Sequence, residues 1–561
     1  RIYLQGVDHI DMQDALQDLG YNLPNWKLAT AAETIVKNTD VEKLKEVTWQ
    51  NWLDDYKGFI EYAVRDVEIL VEIEKKVKIF DLYTSLQETA GLVNMSLVMS
   101  KSVVVDSYIK TAFSGNIVFP TRVTLPKQKY MGAIVLDPVE PGVHEDMSIL
   151  DYTSLYPTTI MAFNISPETF IASEDQCTQA GMKIDDVIES LNNENIPFID
   201  TGHHEDLFGK RYLFYAHEYK LGLMPFLLKK LFLQRVEANK KLKLDTTPEA
   251  EKLSLNVKQK AIKLILNSAY GAMGFNYFRL YKPECADAIT FFAREALKYA
   301  VVKWHTNMDH PVIYGDTDSI MIKQNGYSVD QIKTKLDDFT EMLKNDFFKQ
   351  YSNTLNEEYF MMDLKFEMDL EYMYFGSAKK RYYAIERGSG KSYIKGLNII
   401  RKDAPKFAKS VLDDLAEKAV RQQLTLEDLT NLRQKILTVP YEQIGITKSF
   451  TKKFFMYNKN KPQHLTAAMW SNEIMDAGVD HMDKPLLFYV KSKCQDDLKP
   501  RERNTAICLN EEQLNLIDTN TDKFEIDYDT WFQKQILDQI EEFSEIPSVK
   551  DVVERYKGVS A

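Results

Sequence analysis

The alternation of apolar and polar positions changes period along the chain. Residues 1–95 read as mixed and mostly helical. Within them, Val67, Leu70, Val71, Glu74 and Val77 recur at helical spacing over Val67–Phe80. Residues 96–150 carry turn signals and β-branched runs, Asn116–Val123 and Gly132–Leu136, which predict extended structure. Ser148–Leu150, just before Asp151, reads as a strand. Residues 226–275 read as two long helices joined near Asp245-Thr-Thr-Pro248, a helical hairpin. Val312–Ile322 reads as strand, turn, strand, broken at Gly315-Asp316. From Ala404 onward the pattern is mainly helical. No internal repeat or low-complexity tract occurs.

Composition narrows the class. With 561 residues, the chain is too long for one core, and three to five domains or subdomains are expected. Charged residues make up 27% and hydrophobic ones 44%, which excludes a disordered or fibrous chain. No apolar run reaches about 18 residues, so no membrane span is expected. Cys177, Cys285, Cys494 and Cys508 form no CxxC pair, which points to free thiols in a reducing compartment. The chain opens on Arg1 with no charged-then-apolar leader, so no secretory signal is expected. The missing Met suggests a fragment, a processed product or one part of a split protein.

A net charge of −13 argues at first against a nucleic-acid partner. The distribution reverses that reading. Leu227–Lys263 holds ten basic and four acidic residues, and Gly376–Lys409 ten and two. Lys448–Gln463 holds five basic and no acidic residues, whereas 501–561 holds fourteen acidic and seven basic. One such run is equally a solvated helix face. Three of them, interleaved with aromatic residues, point to a phosphate-backbone surface.

Two carboxylate segments could carry chemistry. In Ile149-Leu-Asp151-Tyr152-Thr-Ser154-Leu155-Tyr156-Pro157, an apolar strand delivers an Asp into a short turn. In Tyr314-Gly-Asp316-Thr-Asp318-Ser319, two Asp residues stand at i and i+2 between apolar arms. Alone, the second segment is equally a polar turn, and an Asp at a strand end, as in the first, is usually a helix-cap or turn residue. Together they suit a hard divalent cation, which takes one or two carboxylates plus substrate phosphates. Two such ions about 3.5–4 Å apart can clamp an in-line phosphoryl displacement. A third segment places Lys260, Lys263, Asn267 and Tyr270 on one helix face, able to grip a triphosphate and stack on a base.

These three segments, in this order and spacing, resemble motifs A, B and C of the family B DNA polymerases. Other landmarks agree. Tyr130-Met-Gly132-Ala133 is similar to the YxG(G/A) link between exonuclease and polymerase modules, and Gly222-Leu-Met-Pro225 to the entry to the fingers. Lys379-Lys380-Arg381-Tyr382 matches the KKRY signature. Lys395-Gly396-Leu397, followed by Arg401-Lys402-Asp403, resembles the start of the thumb. Asn164-Ile-Ser-Pro-Glu168-Thr is most like the tailed-phage, T-even-type branch.

The resemblance implies an α+β right-hand fold, with an antiparallel-sheet palm, helical-hairpin fingers and a mainly helical thumb. The implied division is 1–95 (C-terminal part of an RNase H-like 3′–5′ exonuclease domain), 96–225 (linker and first part of the palm) and 226–275 (fingers). The second part of the palm follows at 276–395 and the thumb at 396–561. The implied activity is primer extension with dNTPs on a DNA template, using two Mg²⁺ ions for which Mn²⁺ can substitute. Asp151, Asp318 and the Tyr152 carbonyl would hold metal, with Asp316 a supporting catalytic carboxylate. Arg235, Lys263 and Asn267, with the backbone at Ser154 and Leu155, would hold the triphosphate. Tyr156 would stack under the deoxyribose and exclude a 2′-hydroxyl, and Tyr270 would line the minor-groove side of the nascent pair. Lys379, Lys380, Arg381, Tyr382, Lys395 and Arg401 would track duplex DNA.

The chain departs from the family pattern in three places. Four residues after Arg235 stands Asn239 where the family has Lys, so the role shifts to Lys240 or is missing. Only the third exonuclease motif is visible, in Tyr62 and Asp66. A chain beginning at Arg1 is therefore expected to lack the first two motifs and complete proofreading. No apolar–aromatic tail suited to a sliding clamp closes the sequence at Gly558–Ala561. Further expected partners are a sliding clamp, a single-strand-binding protein or an N-terminal exonuclease polypeptide, with no membrane. The expected location is cytoplasmic, in the host cell if phage-encoded. The alternatives are an RNA-templated or ribonucleotide-using polymerase on the same palm, one half of a split polymerase, or a non-catalytic replisome subunit.

Overall fold

The fold is that of a computed structural model, which describes residues 8–21, 23, 26, 28–36, 49–204, 210–400, 404–450, 452–456, 461–481, 483–493 and 505–560. Its centre is strand β1 (Gly142–Tyr152). A small insertion follows, with β2 (Phe170–Ser173), β3 (Phe198–Asp200) and β4 (Tyr212–Tyr215) paired in the order β2-β4-β3. β5 (Val312–Asp316), β6 (Ser319–Lys323), β7 (Leu364–Phe375), β8 (Tyr382–Glu386) and β9 (Ser392–Lys395) complete the main sheet. Its order is β5-β6-β1-β7-β8-β9, antiparallel throughout. β1 runs between β6 and β7, and Met147–Leu150 are buried, as expected for a central strand covered on both faces.

The helix Pro283–Thr306 backs this sheet. Its apolar residues face nearly every direction, and Cys285, Ile289, Phe292, Ala296 and Ala300 are all fully buried. Such a helix is stable only inside a core. The predicted hairpin forms from Leu223–Leu242 and Glu249–Met273. Pro248 precedes the second helix, and Glu249 and Glu251 sit in its first turn, where they complement the helix dipole. Ala261, Ile262, Ile265, Leu266, Ala269 and Met273 form its buried face. They pack on the first hairpin helix and on the helices Ile79–Ala90 and Lys101–Ala112. Lys260, Lys263 and Asn267 are left exposed on the opposite side, as the spacing predicts.

The C-terminal third has its own core around Trp531 and Phe543. Helices such as Lys406–Val420 and Pro547–Ser560 surround a second sheet. That sheet contains β10 (Ile446–Thr447), β11 (Leu486–Ser492), β12 (Ala506–Leu509) and β13 (Phe524–Ile526). The module is thus mixed, where the sequence predicts mainly helix. The Trp531 indole N–H donates to the Ile444 carbonyl at 2.6 Å, which satisfies the polar edge of a buried ring.

Other expectations are corrected. Lys101–Ala112 is a helix, with Val104, Val105, Tyr108 and Ile109 buried on one side; helical packing overrides the β preference of its three valines. Asn116–Val123 forms no strand, and in Gly132–Leu136 the only pairing is a bridge between Val135 and Asp316. The helix expected over Val67–Phe80 runs from Tyr56 to Val77 and stops where Lys78 adopts φ +59°. Its buried contacts are Ile69 and Ile73, while Val67 and Val71 are exposed.

Candidate active site

β1 ends on Asp151 and Tyr152. The Tyr152 ring is buried, and its hydroxyl donates to the Ala296 carbonyl at 2.8 Å, which anchors the strand end on the Pro283–Thr306 helix. The chain then turns at Ser154, with φ +52°, into the helix Leu155–Ala162. N–H groups in the first turn of a helix lack intrahelical partners and are free to meet an anion. Asp151 lies opposite Ser319 in the β1–β6 ladder, and the Tyr152 N–H donates to the Asp318 carbonyl at 2.8 Å. The two carboxylate segments, far apart in sequence, therefore share one edge of the sheet.

Between β5 and β6, Thr317 sits at φ +63°, a costly conformation for a β-branched residue. It is held by its N–H to the Ile134 carbonyl at 3.0 Å and by its hydroxyl to the Asp316 carboxylate at 3.0 Å. Asp316 is only 4% exposed. Lys395 Nζ lies 2.9 Å and Lys380 Nζ 3.3 Å from its two oxygens. Burial alone would raise the Asp316 carboxyl, but Lys395, aided by Thr317 and Lys380, holds it below the ordinary carboxylate range.

Asp151 and Asp318 behave in the opposite way. Burial, the Asp318 charge and Glu367 push Asp151 up to about 7, with Lys263 opposing the shift. Burial, with Asp316 and Glu367, also raises Asp318. This is an edge rich in carboxylates and short of positive charge, the condition a divalent cation relieves. Among the described residues no three or more His, Cys, Asp or Glu side chains form a metal cage. Asp151 and Asp318 are hard carboxylate oxygen donors of the kind a divalent cation takes.

On the hairpin side, Arg235 reaches Ser154, its Nη1 lying 3.2 Å from the hydroxyl. Its Nε is buried and finds no hydrogen-bond partner among the described residues. Asn239 is half-buried, and Lys240 is exposed in the last turn of that helix. The Tyr156 and Tyr270 rings stack with centroids 4.5 Å apart and planes 25° apart.

The KKRY segment is tied back to the protein. Lys379 donates to the Val135 carbonyl at 2.8 Å, and the Lys380 N–H to the Tyr314 hydroxyl at 2.8 Å. Arg381, expected on the duplex, pairs with Glu542 of the C-terminal module, whose second oxygen accepts the Asn398 N–H at 2.7 Å. Tyr382 is half-buried, under the ammonium of Lys395. Arg401 lies outside the described residues. Tyr62 and Asp66 are half-buried on the helix Tyr56–Val77.

The sequence reading missed Glu367. It lies on β7, two residues beyond Lys365, the register partner of Asp151. Its signal was the alternation Lys365, Glu367, Asp369, Glu371, which marks one polar face of that strand.

Residues 93–546 match the family model described as DNA polymerase family B. The chain belongs to this family. DNA polymerase 1 of Sulfolobus acidocaldarius is 25% identical over 497 residues, covering 82% of this chain and 50% of that protein. DNA polymerase of Archaeoglobus fulgidus is 28% identical, over 62% of this chain and 38% of its own length. The DNA polymerase delta catalytic subunit of Dictyostelium discoideum is 26% identical, over 80% and 40%. The chain thus spans half or less of the length of these family B relatives. The solved family B DNA polymerase of Pyrobaculum calidifontis shares the fold, with a TM-score of 0.62 at 22% identity, covering 97% of this chain and 64% of that one. The α+β architecture is therefore that of family B, and no helix among the described residues is long and apolar enough to cross a membrane.

Proposed function

We propose that the chain is a template-directed DNA polymerase that extends a primer 3′-hydroxyl with dNTPs. The observation that carries this reading is the Tyr152–Asp318 hydrogen bond. It holds Asp151 and Asp318 at one sheet edge, facing Lys263 and Arg235 of the hairpin. The main sheet is read as the palm, the hairpin as the fingers and the C-terminal module as the thumb.

In this reading the triphosphate lies against Lys263, Asn267, Arg235 and the N–H groups that start the Leu155–Ala162 helix. Charge-assisted donors suit a phosphate that gains charge in the transition state. Asp151 and Asp318, with the Tyr152 carbonyl, would hold two divalent ions, Mg²⁺ or its substitute Mn²⁺. When bound, these supply Lewis-acid activation of the 3′-hydroxyl and neutralise the leaving pyrophosphate. The stacked Tyr156 and Tyr270 rings form the wall that sorts deoxyribose from ribose. Lys379, Lys380 and Lys395 contact the duplex by its backbone, so that sequence is read by base pairing.

The buried Asn164 amide donates to the Tyr215 and Lys220 carbonyls, each at 2.8 Å, and its oxygen accepts the Gly222 N–H at 2.9 Å. The phage-like segment thus has a structural task here, and the tailed-phage assignment stands on its sequence alone. Tyr62 and Asp66 are read as the remnant of an exonuclease site. Primer extension on a DNA template tests the main reading. Template-dependent addition of dNTPs supports it, and no incorporation with either Mg²⁺ or Mn²⁺ would sink it.

A further inference from the structure

We infer that Lys395 is a positioning residue for nucleotide transfer, acting through Asp316 on the turn that carries Asp318. The inference rests on the polymerase reading above and gives Lys395 a task besides contact with DNA.

Three contacts run in series. Lys395, the last residue of β9, places Nζ 2.9 Å from one Asp316 oxygen. The other oxygen accepts the Thr317 hydroxyl at 3.0 Å. Thr317 is the residue at positive φ, so its geometry depends on these side-chain and backbone ties. The Asp318 N–H then donates to the Asp316 carbonyl at 2.7 Å, closing the turn. The orientation of the Asp316 carboxylate thus sets Thr317, and Thr317 sets where Asp318 points.

The strand end that carries Lys395 is itself fixed. Gly396 follows Lys395 at φ +68°, and a Cβ there would stand 1.9 Å from the Lys380 carbonyl. The two lysine-bearing segments cross at that point, which brings both ammonium groups onto one buried carboxylate. Asp316 is therefore saturated by lysine and hydroxyl donors rather than open to a metal ion. The side chain of Lys395 is 47% exposed, so the same strand end also faces the solvent side where a duplex would lie.

A double-mutant cycle tests this. Lys395→Gln, Asp316→Asn, the pair together and Lys395→Arg are compared in single-turnover incorporation at saturating DNA, with duplex Kd measured separately. Each of the two single neutralisations should slow incorporation by about 10- to 100-fold, because a misplaced reacting group costs rate. Duplex Kd should stay within about twofold, since only one backbone contact is lost. The double variant should be no slower than the slower single, the mark of residues acting as one unit. It also removes both charges of the Lys395–Asp316 pair, so no carboxylate is left buried without Lys395. Lys395→Arg should recover most of the rate. Losses that multiply, or a loss carried wholly by duplex Kd, overturn the inference while leaving the polymerase reading intact. An unsubstituted chain that adds no nucleotide overturns both.

Discussion

The backbone N–H of Tyr152 donates to the carbonyl of Asp318 across 2.8 Å, joining two segments that lie more than 160 residues apart. A side-chain change at Asp318 leaves this bond in place. Asp318→Ala should therefore keep duplex affinity within about threefold, because the bulk of that affinity comes from phosphate contacts. Nucleotide incorporation should fall by about 10³-fold or more as a metal ligand is lost. Gel-shift titration and primer extension measure the two sides, and near-normal extension would remove Asp318 from the metal site.

Tyr156 stacks on Tyr270, so each ring supports the other. Tyr156→Ala should raise rNTP use relative to dNTP, because the wall under the sugar is gone. Tyr270→Ala should move the same ratio less, through loss of support. Stacked pairs contribute about 0.5–1.5 kcal/mol beyond area, which sets the size of the indirect effect at roughly 2- to 12-fold. An unchanged ratio in Tyr156→Ala would reject the gate.

Burial, with the carboxylate neighbours Asp318 and Glu367, pushes the Asp151 carboxyl up to about 7 from an ordinary 3.8. The folded state then binds more protons than the unfolded state between those values. Stability present below the lower value should decline as pH rises toward the upper one. Divalent ions compete with that proton, so their affinity should fall by up to about tenfold per pH unit below 7. Thermal unfolding in chelator across this range should show the decline, and Asp151→Asn should flatten it. A metal affinity independent of pH would contradict the assignment.

Glu542 accepts from Arg381 and from the Asn398 N–H, so it pins the C-terminal module to the main sheet. Arg381→Ala should destabilise the protein by about 1–3 kcal/mol, because a largely buried carboxylate loses its charged partner. Denaturant unfolding measures this. Nearly unchanged stability with a weakened duplex Kd would return Arg381 to the DNA contact expected from sequence.

How much of this was readable without a structure depends on how far apart the interacting groups lie. The hairpin helices, the strand–turn–strand at Val312–Ile322 and the face shared by Lys260, Lys263 and Asn267 were legible, because periodicity reports burial over a few turns. The order of the three motifs sufficed to suggest the family. Asn116–Val123 was misread because its β-branched residues suit a strand locally, while no strand among the described residues pairs with it. The sheet β10–β13 was missed because its short strands sit among helices and pair over long separations.

Sequence by itself determined which residues could do chemistry: Asp151, Asp316, Asp318, Lys263, Arg235 and the two tyrosines. Tertiary structure alone decided how they divide the work. It gave Asp316 to Lys395 across 79 residues and Arg381 to Glu542 across 161. It also set Glu367 beside Asp151 and Asp318, which share its charge. The reason is physical. A side chain's period says whether it is buried, but which polar group it meets depends on strand register and on how separate elements pack, and those are fixed only when the whole chain closes.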